Sequence, residues 1–302
     1  MSSYQYNFIV SGIFVSKSVK ELLRYWLVPR FIRGVLRQNK RLFVNGQNVS
    51  TATVLQDGDE LTFRLNIQDF HKQQHYSANN QYRVRILFET EDYVIVNKPA
   101  TMKMHPHSPD ENDTLLNYAE AVLKDHGSRG QAAHAFMVHR IDNDTSGIVL
   151  IAKNPLAVAI LDQLLAKKRI KRTYLAWVSG NLQDNAGIID RAIAVDPNDP
   201  YKRVVSDGGG LPAITHWQKI HTVYQNTLLR INLETGRTHQ IRVHLAAIGH
   251  PLVGDRLYHG RDYPRLLLHS ATIKLPSLFS DYTVCRSITA AIPKDFPRQL
   301  KL

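Results

Sequence analysis

The chain has 302 residues, of which 43% are hydrophobic, and carries a formal net charge of +12. This length and apolar content allow a substantial core, arranged as one large domain or as a small domain followed by a larger one. The positive charge favours an anionic partner, nucleic acid first and a membrane surface second, although an ordinary basic enzyme could carry it too.

Cysteine occurs once, at position 285. An intrachain disulfide is therefore impossible, and a cysteine-based zinc site is excluded. The short apolar stretch at residues 8–15 has no charged segment before it, so it is a poor signal peptide. No apolar run approaches the ~20 residues that a membrane helix requires. We therefore expect a cytoplasmic protein that does not span a membrane.

The first predicted elements are helical and strongly basic. Apolar residues at helical spacing predict a helix over 16–35 that is interrupted at Pro29, with a second short helix over 31–38. Arg33 and Arg37 lie one turn apart and would point the same way. Between positions 17 and 41 the only acidic residue is a glutamate, and the basic residues are Lys17, Lys20, Arg24, Arg30, Arg33, Arg37, Lys40 and Arg41.

Strand and turn signals follow these helices. Residues 42–49 read as a strand, an Asn-Gly turn and a second strand. The turn at 57–59 precedes a further strand from Glu60. The next segment, 68–81, is mostly polar and predicts a linker. The sequence thus predicts a small N-terminal domain at 1–67, a linker at 68–82 and a larger domain at 83–302.

Strands and helices alternate after the linker, which predicts an α+β domain built on a large, mainly antiparallel mixed sheet. Asp113 is suited to cap a helix that runs to about 126 with Gly127 past its end, and Asn154-Pro155 is a strong helix start. The remaining predictions are strands at 85–89, 93–97, 173–178, 188–194, 214–219 and 227–233, and a helix at 239–247.

The most informative segment is 139–147, His-Arg-Ile-Asp-Asn-Asp-Thr-Ser-Gly, which precedes an apolar strand at 148–152. A polar loop against a buried strand can hold one carboxylate, Asp142, beside an arginine. This pattern resembles the signature of the RluA family of pseudouridine synthases. Three further segments match that family in order and spacing: 88–106 around Asn-Lys-Pro, 171–180, and 233–260 with its continuation at 266–269. The resemblance covers roughly 86–291.

The N-terminal segment resembles the S-four-like RNA-binding module that often precedes this type of catalytic domain. Its two basic helices, "RLFVNG" and "DGDEL" carry the resemblance over about 50 residues. Such modules usually have a glycine ahead of the "VNG" strand, where this chain has Lys40 and Arg41. The resemblance implies the pseudouridine synthase fold plus a small N-terminal α/β RNA-binding domain.

The resemblance also implies roles for three residues. Asp142 would be the nucleophile, Arg242 would pair with its carboxylate, and Tyr174 would stack on the base or assist removal of the proton on carbon 5. Making pseudouridine requires no redox step, and a nucleophilic carboxylate suits it. Attack on the anomeric carbon, attack on carbon 6 and formation of a glycal all use the same aspartate, and the sequence does not separate them.

Other residues are expected to bind the RNA. Arg140, beside the nucleophile, is a candidate to fill the space that a flipped base vacates, and Thr145 with Ser146 is expected to hold the loop through backbone hydrogen bonds. The predicted substrate-binding residues are Arg140, His139, Thr145, Arg237, His239, Lys98, Arg33, Arg37 and Arg41. We expect no cofactor and no metal, because neither His105 with His107 nor His239 with His244 has a matching ligand set.

The expected function is isomerisation of specific uridines in ribosomal or transfer RNA by a monomer. One alternative is a non-catalytic RNA-binding or ribosome-assembly protein on the same fold, although such a protein would not require Asp142, Tyr174 and Arg242 together. Another is a nucleoside hydrolase or glycosylase, which would use the same aspartate but release free uracil. The sequence does not identify the RNA or the uridine.

Overall fold

The chain is described by a computed structural model over residues 3–70, 75–297 and 300. Residues 71–74 of the predicted linker lie outside the described residues, as do 1–2, 298–299 and 301–302 at the ends of the two predicted domains. No helix in the described ranges is long and apolar enough to cross a membrane.

The N-terminal part is an antiparallel four-stranded sheet with two helices. Its elements are β1 (Ser3–Ile9), α1 (Val19–Tyr25), α2 (Arg30–Gln38), β2 (Leu42–Val44), β3 (Gln47–Asn48) and β4 (Glu60–Asn66). The strands lie in the order β1, β4, β2, β3. The predicted Asn-Gly hairpin is confirmed, since Asn45 and Gly46 both have the positive φ of a type I′ turn.

Two features of this part differ from the sequence-based prediction. The first helix begins only at Val19, where a capping box formed by Ser18 and Glu21 satisfies its first backbone donors, and it ends at Tyr25. Strand β1 was not predicted. It pairs with β4 along its whole length, from Ser3 opposite Asn66 to Ile9 opposite Glu60, and so remote a partner leaves little signal in the local pattern.

The larger part confirms the α+β class. Its elements are β5 (Arg85–Glu89), β6 (Tyr93–Lys98), α3 (Leu115–Leu123), β7 (Gly127–Ser128), β8 (Gln131–Ala132), β9 (Phe136–Met137), β10 (Ser146–Ala152), α4 (Pro155–Ala166), β11 (Lys171–Ser179), β12 (Ala186–Asp190), β13 (Ile193–Asp196), β14 (Asp199–Val205), β15 (Ile214–Val223), β16 (Asn226–Leu233), α5 (Gln240–Ala247), β17 (Leu268–Pro276) and β18 (Cys285–Thr289). Short 3-10 turns occupy Gly12–Phe14, Ile67–Asp69 and Arg256–Tyr258.

Ten of these strands form one sheet, ordered β12, β15, β16, β11, β17, β10, β6, β5, with β18 beside β17 and β9 beside β10. Among the described strands of this sheet, the only parallel pair is β10 with β17, where Ser146 lies opposite His269. The mainly antiparallel prediction is therefore confirmed. The parallel pair matters because it brings the end of the 139–147 loop beside the start of β17.

Two other predicted elements need correction. The helix expected over 113–126 is α3, which begins after Thr114, a residue that makes no side-chain capping bond, and ends at Leu123, while Gly127 belongs to β7. The strand expected over 188–194 is two strands in different sheets. Of these, β12 pairs with β15 and β13 pairs with β14 in a separate hairpin.

Alternating side chains of the central strands build two cores on opposite faces of the large sheet. On β10, Ile148 and Leu150 face one core, and Val149 and Ile151 face the other. The first face is covered by α4 and by the N-terminal part. The second is covered by α3 and α5.

The N-terminal part shares its core with the larger part. One continuous hydrophobic cluster contains Leu22 and Phe63 from the first and Tyr93 and Ile160 from the second. The described end of the predicted linker is also packed rather than free. Tyr76 is buried, and the Asn79 amide donates to the carbonyl oxygen of Asn112 at 2.9 Å. The two parts are thus joined by a core, and the boundaries at 67 and 82 stay a prediction.

Candidate active site

The loop that carries Asp142 is fixed at both ends by buried strands. Its far end enters β10 at Gly147, whose φ is +110°, and a Cβ atom there would lie 2.2 Å from the Ser270 carbonyl oxygen. Only glycine allows this approach to β17. Within the loop, the Thr145 N–H donates to the Asp142 carbonyl oxygen at 3.1 Å. Gly147 therefore fixes the position of the loop end, and with it the position of Asp142.

Lys98 holds the same loop from the adjacent strand. Its buried Nζ donates to the carbonyl oxygens of Pro99, Met102 and Asn143 at 2.9, 2.7 and 2.7 Å. Burial lowers the pKa of Lys98 to about 7, against the opposing charges of Asp144 and Asp142. The ammonium donors are engaged by the backbone, so Lys98 holds the loop in place, and its contact with substrate stays a prediction.

His139 is likewise a structural residue here. Its ring is buried, and its Nε2 accepts a hydrogen bond from the Leu150 N–H at 3.0 Å. Burial, with the nearby charge of Arg172, lowers the pKa of His139 to about 3. The imidazole is therefore neutral and serves as a hydrogen-bond acceptor for β10, and the expectation that His139 contacts RNA stays a prediction.

The backbone of Thr145 makes the expected hydrogen bond within the loop, whereas the side chains of Thr145 and Ser146 have other surroundings. The Ser146 hydroxyl contacts His269 Nδ1 at 2.9 Å and accepts from Arg265 at 2.8 Å. The Thr145 hydroxyl is buried and has no hydrogen-bond partner among the described residues. Ser146 thus ties the loop to β17, and Thr145 faces the cavity beside Asp142.

Arg242 on α5 lies between two carboxylates. Its Nε and Nη2 donate to the two oxygens of Asp255 at 2.7 and 2.9 Å, and its Nη1 lies 3.4 Å from Oδ2 of Asp142. Burial opposes the charged form, but the hydrogen bonds and charge of Asp255, with the charge of Asp142, outweigh it and raise the pKa of Arg242. The expected Asp142–Arg242 pair is present. The support from Asp255 was not predicted, although it lies in the matched segment 233–260.

His239 completes the group around the aspartate. It begins α5 in a left-handed conformation, with φ of +57°. Its Nε2 lies 4.0 Å from Asp142 Oδ2, and its Nδ1 lies 3.1 Å from the Tyr258 hydroxyl. Burial and the charge of Arg242 lower the pKa of His239 against the pull of Asp142. Tyr258 was not predicted, and its ring also lies against the Arg242 guanidinium at 5.2 Å.

Asp142 stands at the junction of two cavities. The first, called the apolar cavity here, is lined by five hydrophobic side chains and by Thr145, Arg172 and Arg237 among its polar residues. The second, called the arginine-rich cavity, holds about 630 Å³ and is lined by five arginines. The arginines are Arg140, Arg203, Arg242, Arg256 and Arg265, and the hydrophobic lining of the first cavity is Ile141, Tyr174, Leu233, Ile241 and Leu268.

The predicted site residues take different positions relative to the two cavities. Tyr174 is buried and lines the apolar cavity, and exposed Arg140 lines both cavities. Arg237 lines the apolar cavity and donates to the Pro212 carbonyl oxygen at 3.0 Å. A cavity lined by hydrophobic side chains, one carboxylate and several cations is suited to a planar, polar-edged ring such as a nucleobase.

The three N-terminal residues are not part of these cavities. Arg37 is exposed on α2. Arg33 is partly buried, and this burial, with the charges of Arg24 and Arg30, lowers its pKa. Arg41 is ion-paired with Asp69 at 2.5 Å, so much of its charge is already neutralised. Within the described residues, no group of three or more His, Cys, Asp or Glu side chains is placed to hold a metal ion.

Comparisons with known proteins match both parts of the chain. Residues 92–247 match the family described as RNA pseudouridylate synthase, and residues 6–61 match the RluD ribosomal pseudouridine synthase N-terminal domain. The first match contains the Asp142 loop, Tyr174 and Arg242. The second contains the basic helices.

Relatives along most of the chain carry the same description. The chain is 37% identical over 247 residues to the uncharacterized RNA pseudouridine synthase YhcT of Bacillus subtilis (strain 168), covering 81% of this chain and 76% of that one. It is 36% identical over 241 residues to the ribosomal large subunit pseudouridine synthase D of Haemophilus ducreyi, covering 79% and 72%. The protein of that name from Escherichia coli (strain K12) is 39% identical over 179 residues, covering 59% and 53%.

Solved structures show the same fold. Human RNA pseudouridylate synthase domain containing 1 superposes with a TM-score of 0.56 at 23% identity, over 70% of this chain and 84% of that one. Human RNA pseudouridylate synthase domain containing 4 gives 0.57 at 21% identity, over 70% and 90%.

Proposed function

The chain belongs to the RNA pseudouridylate synthase family, as an RluA-type member with an N-terminal S-four-like module, and we propose that it modifies large-subunit ribosomal RNA with Asp142 as its nucleophile. The enzyme class, an isomerase acting on RNA uridines, follows from the family. The ribosomal substrate is proposed because relatives at 36% and 39% identity are named for it. We further propose that the protein acts as a cytoplasmic monomer without a metal or cofactor.

The observation that carries the Asp142 assignment is its position. It is a half-buried carboxylate at the junction of the two cavities, 3.4 Å from a guanidinium that Asp255 holds in place. A buried carboxylate stays charged when a cation lies close to it. A charged carboxylate facing the apolar cavity is suited to attack either the anomeric carbon or carbon 6 of a uracil seated in that cavity, or to abstract a sugar proton.

The overall reaction exchanges one bond and one proton, and residues of the site are suited to part of it. The bond between N1 and the anomeric carbon breaks, the bond from carbon 5 to that carbon forms, carbon 5 loses a proton and N1 gains one. Tyr174 lines the cavity beside Asp142, and we propose that it would stack on the detached uracil while the base turns, with its hydroxyl assisting removal of the carbon-5 proton. Arg140 would contact the RNA where the flipped nucleotide leaves the stack.

The N-terminal part would supply a second, electrostatic contact. Arg24, Arg30 and Arg33 are close enough for their charges to act on one another, and like charges brought together favour an anionic partner. We propose that residues 1–67 form an RNA-binding domain, 68–82 a connection and 83–302 the catalytic domain. Arg37→Gln should lower the slope of log affinity against log salt by about 1, whereas Lys124→Gln at the end of α3 should leave it unchanged.

The substrate proposal is tested by tritium release. RNA labelled at carbon 5 of uridine is prepared from cells lacking this gene, and large-subunit ribosomal RNA and transfer RNA are assayed separately. We expect release from the ribosomal RNA. Release from transfer RNA alone would overturn the ribosomal assignment and keep the enzyme class. Free uracil among the products would instead indicate a hydrolase.

A further inference from the structure

The arginine-rich cavity continues directly from the reaction centre. It shares Arg140, Asp142 and Arg242 with the apolar cavity. Its other walls come from three separate segments at 200–203, 254–257 and 263–266, together with Thr101, Asn143, Asp144 and the start of α5. Its volume of about 630 Å³ lies within the roughly 300–1,000 Å³ of ligand sites. A uracil in the apolar cavity does not account for this space.

One wall of the arginine-rich cavity presents an aromatic side chain that packs against little else. Tyr201, at the end of the β13–β14 hairpin, lines the cavity and is 83% exposed. Large aromatic side chains usually bury most of their surface, so one left open beside a cavity points to a ligand that covers it. A phenol ring offers its face to any nucleobase, because every base has a π-face.

The hairpin that carries Tyr201 is anchored to the active site. The Arg203 N–H donates to the Tyr258 hydroxyl at 2.9 Å, and Tyr258 in turn contacts His239 beside Asp142. The Arg203 guanidinium donates to the carbonyl oxygens of Pro200 and Lys202 at 2.9 and 2.8 Å. These bonds fix the hairpin end relative to the nucleophile, so the exposed ring has a defined place.

The arginines of this cavity are not equivalent. Arg265 is committed to the fold, since it pairs with Asp295 at 3.0 Å and donates to Ser146 at 2.8 Å. Arg242 is held by Asp255. Arg256 and Arg140 are exposed on the cavity wall. They are suited to contact phosphate oxygens, which guanidinium groups bind through paired donors.

We propose that the arginine-rich cavity binds the nucleotide that adjoins the target uridine in the RNA strand, with its base stacked on Tyr201 and its phosphate on Arg256. This inference rests on the proposed function. With the target uracil in the apolar cavity and its ribose at Asp142, the strand must continue from the junction, and the arginine-rich cavity opens there. The cavity would therefore bind the neighbouring nucleotide by stacking, without requiring one particular base.

The first test compares Tyr201→Ala with Tyr201→Phe on large-subunit ribosomal RNA. Stacking on an aromatic side chain is equivalent to roughly five- to 100-fold in affinity, so Tyr201→Ala should lower kcat/KM by about that factor. Tyr201→Phe keeps the ring and should retain most of the wild-type value. Tyr224→Ala is the control, because Tyr224 is 62% exposed but lines neither cavity.

The second test removes the base instead of the ring. Once the modified uridine is mapped, two RNA fragments are made with an abasic nucleotide on its 5′ or its 3′ side. With the wild-type enzyme, one of the two fragments should react more slowly than the intact RNA. With Tyr201→Ala, that same fragment should react no more slowly than the intact RNA does with this variant, which would identify the neighbour that stacks. Equal losses for both enzymes with both fragments would overturn the proposal, as would wild-type kinetics of Tyr201→Ala.

Arg256 is tested through salt. Arg256→Gln should lower the slope of log affinity against log salt by about 1, and the exposed Arg261→Gln, outside the cavity, should not. The outcomes are distinguishable from a failure of the proposed function. If ribosomal RNA is modified and Asp142→Ala is inactive while the Tyr201 and Arg256 variants behave as wild type, the subsite alone is wrong.

Discussion

Arg242 reaches Asp142 at 3.4 Å while its other two donors are held by Asp255 at 2.7 and 2.9 Å. The fully buried carboxylate of Asp255 therefore orients the guanidinium, and the guanidinium orients the nucleophile. The planar guanidinium carries donors on three sides, so it can bind both carboxylates at once in this geometry, and a lysine ammonium cannot.

We predict that Arg242→Met lowers both stability and activity. Because Asp255 would remain buried without its partner, the free energy of unfolding should fall by about 3–5 kcal/mol, as measured by denaturant unfolding. The double variant Arg242→Met with Asp255→Leu should recover much of that stability, since it removes both charges, and yet remain inactive. Recovery of activity together with stability would show that Arg242 acts only on the fold.

We predict that Tyr258→Phe slows the reaction without unfolding the protein. The hydroxyl joins the β13–β14 hairpin to His239, and a neutral hydrogen bond contributes about 0.5–1.5 kcal/mol. A loss of roughly two- to tenfold in kcat/KM is expected, together with a fall in the free energy of unfolding no larger than this hydrogen-bond contribution. Tyr118→Phe, remote from both cavities, is the control. An unchanged kcat/KM for Tyr258→Phe would show that the contact of this hydroxyl with the hairpin and His239 does not affect the reaction.

Much of the site follows from the sequence, and the rest depends on distant contacts. The Asp142 loop, Tyr174 and Arg242 lie in quoted motifs, and the structure brings them together around the apolar cavity. His139 and Lys98 lie in the same motifs but face the core. Motif membership does not say which way a side chain points, and in both cases a bond to a backbone atom of another segment decides it.

In the fold, too, features set by local interactions are predictable from the sequence, and features set by contacts with distant segments are not. Helix α4 begins where Asn154 and Pro155 predict it, because capping is a local interaction. Strand β1 and the split between β12 and β13 depend on partners elsewhere in the chain. The joint core of the two parts is also non-local, and a polar segment at 68–81 gave no indication of it.

We predict that His139 makes the protein sensitive to acid. In the unfolded chain this histidine binds a proton near its ordinary pKa of 6.5, whereas the folded protein binds it only near 3. Stability is therefore lost as the pH falls from 6.5 toward 3, by about 1.4 kcal/mol per pH unit from this group. Denaturant unfolding of wild type and His139→Gln at several pH values measures this loss.

His139→Gln keeps an acceptor for the Leu150 N–H and cannot be protonated. Unfolding of this variant should therefore take up about one proton fewer than unfolding of the wild type, so its stability should fall less steeply as the pH is lowered. The exposed His107→Gln should follow the wild type. A variant curve parallel to that of the wild type would show that another group causes the loss. His269, whose pKa burial lowers to about 4, contributes equally in all three proteins.

We predict that Arg129 holds the N-terminal part in place. Its guanidinium pairs with Asp92 at 2.5 Å and with Glu91 at 2.9 Å, and it lies 5.2–5.3 Å from the rings of Tyr6, Phe8 and Phe279. Arg129→Met leaves the buried Asp92 without this cation and should cost about 3–5 kcal/mol. Calorimetry should show one unfolding transition in the wild type, because the two parts share a core.

The exposed Arg37→Met should leave the melting temperature nearly unchanged. Two separate transitions in the wild type would contradict the shared core. The same packing means that deletion of residues 1–82 would expose the side chains that Leu22 and Phe63 now cover. Charge variants are therefore the sound way to test RNA binding by this part.

The most direct measurement is pseudouridine formation in large-subunit ribosomal RNA by wild type, Asp142→Asn, Asp142→Ala and the surface control Asp125→Asn. We expect formation by the wild type and the control, none by either Asp142 variant, and similar RNA affinity for all four. Near-normal formation by Asp142→Ala would contradict the assignment of the nucleophile.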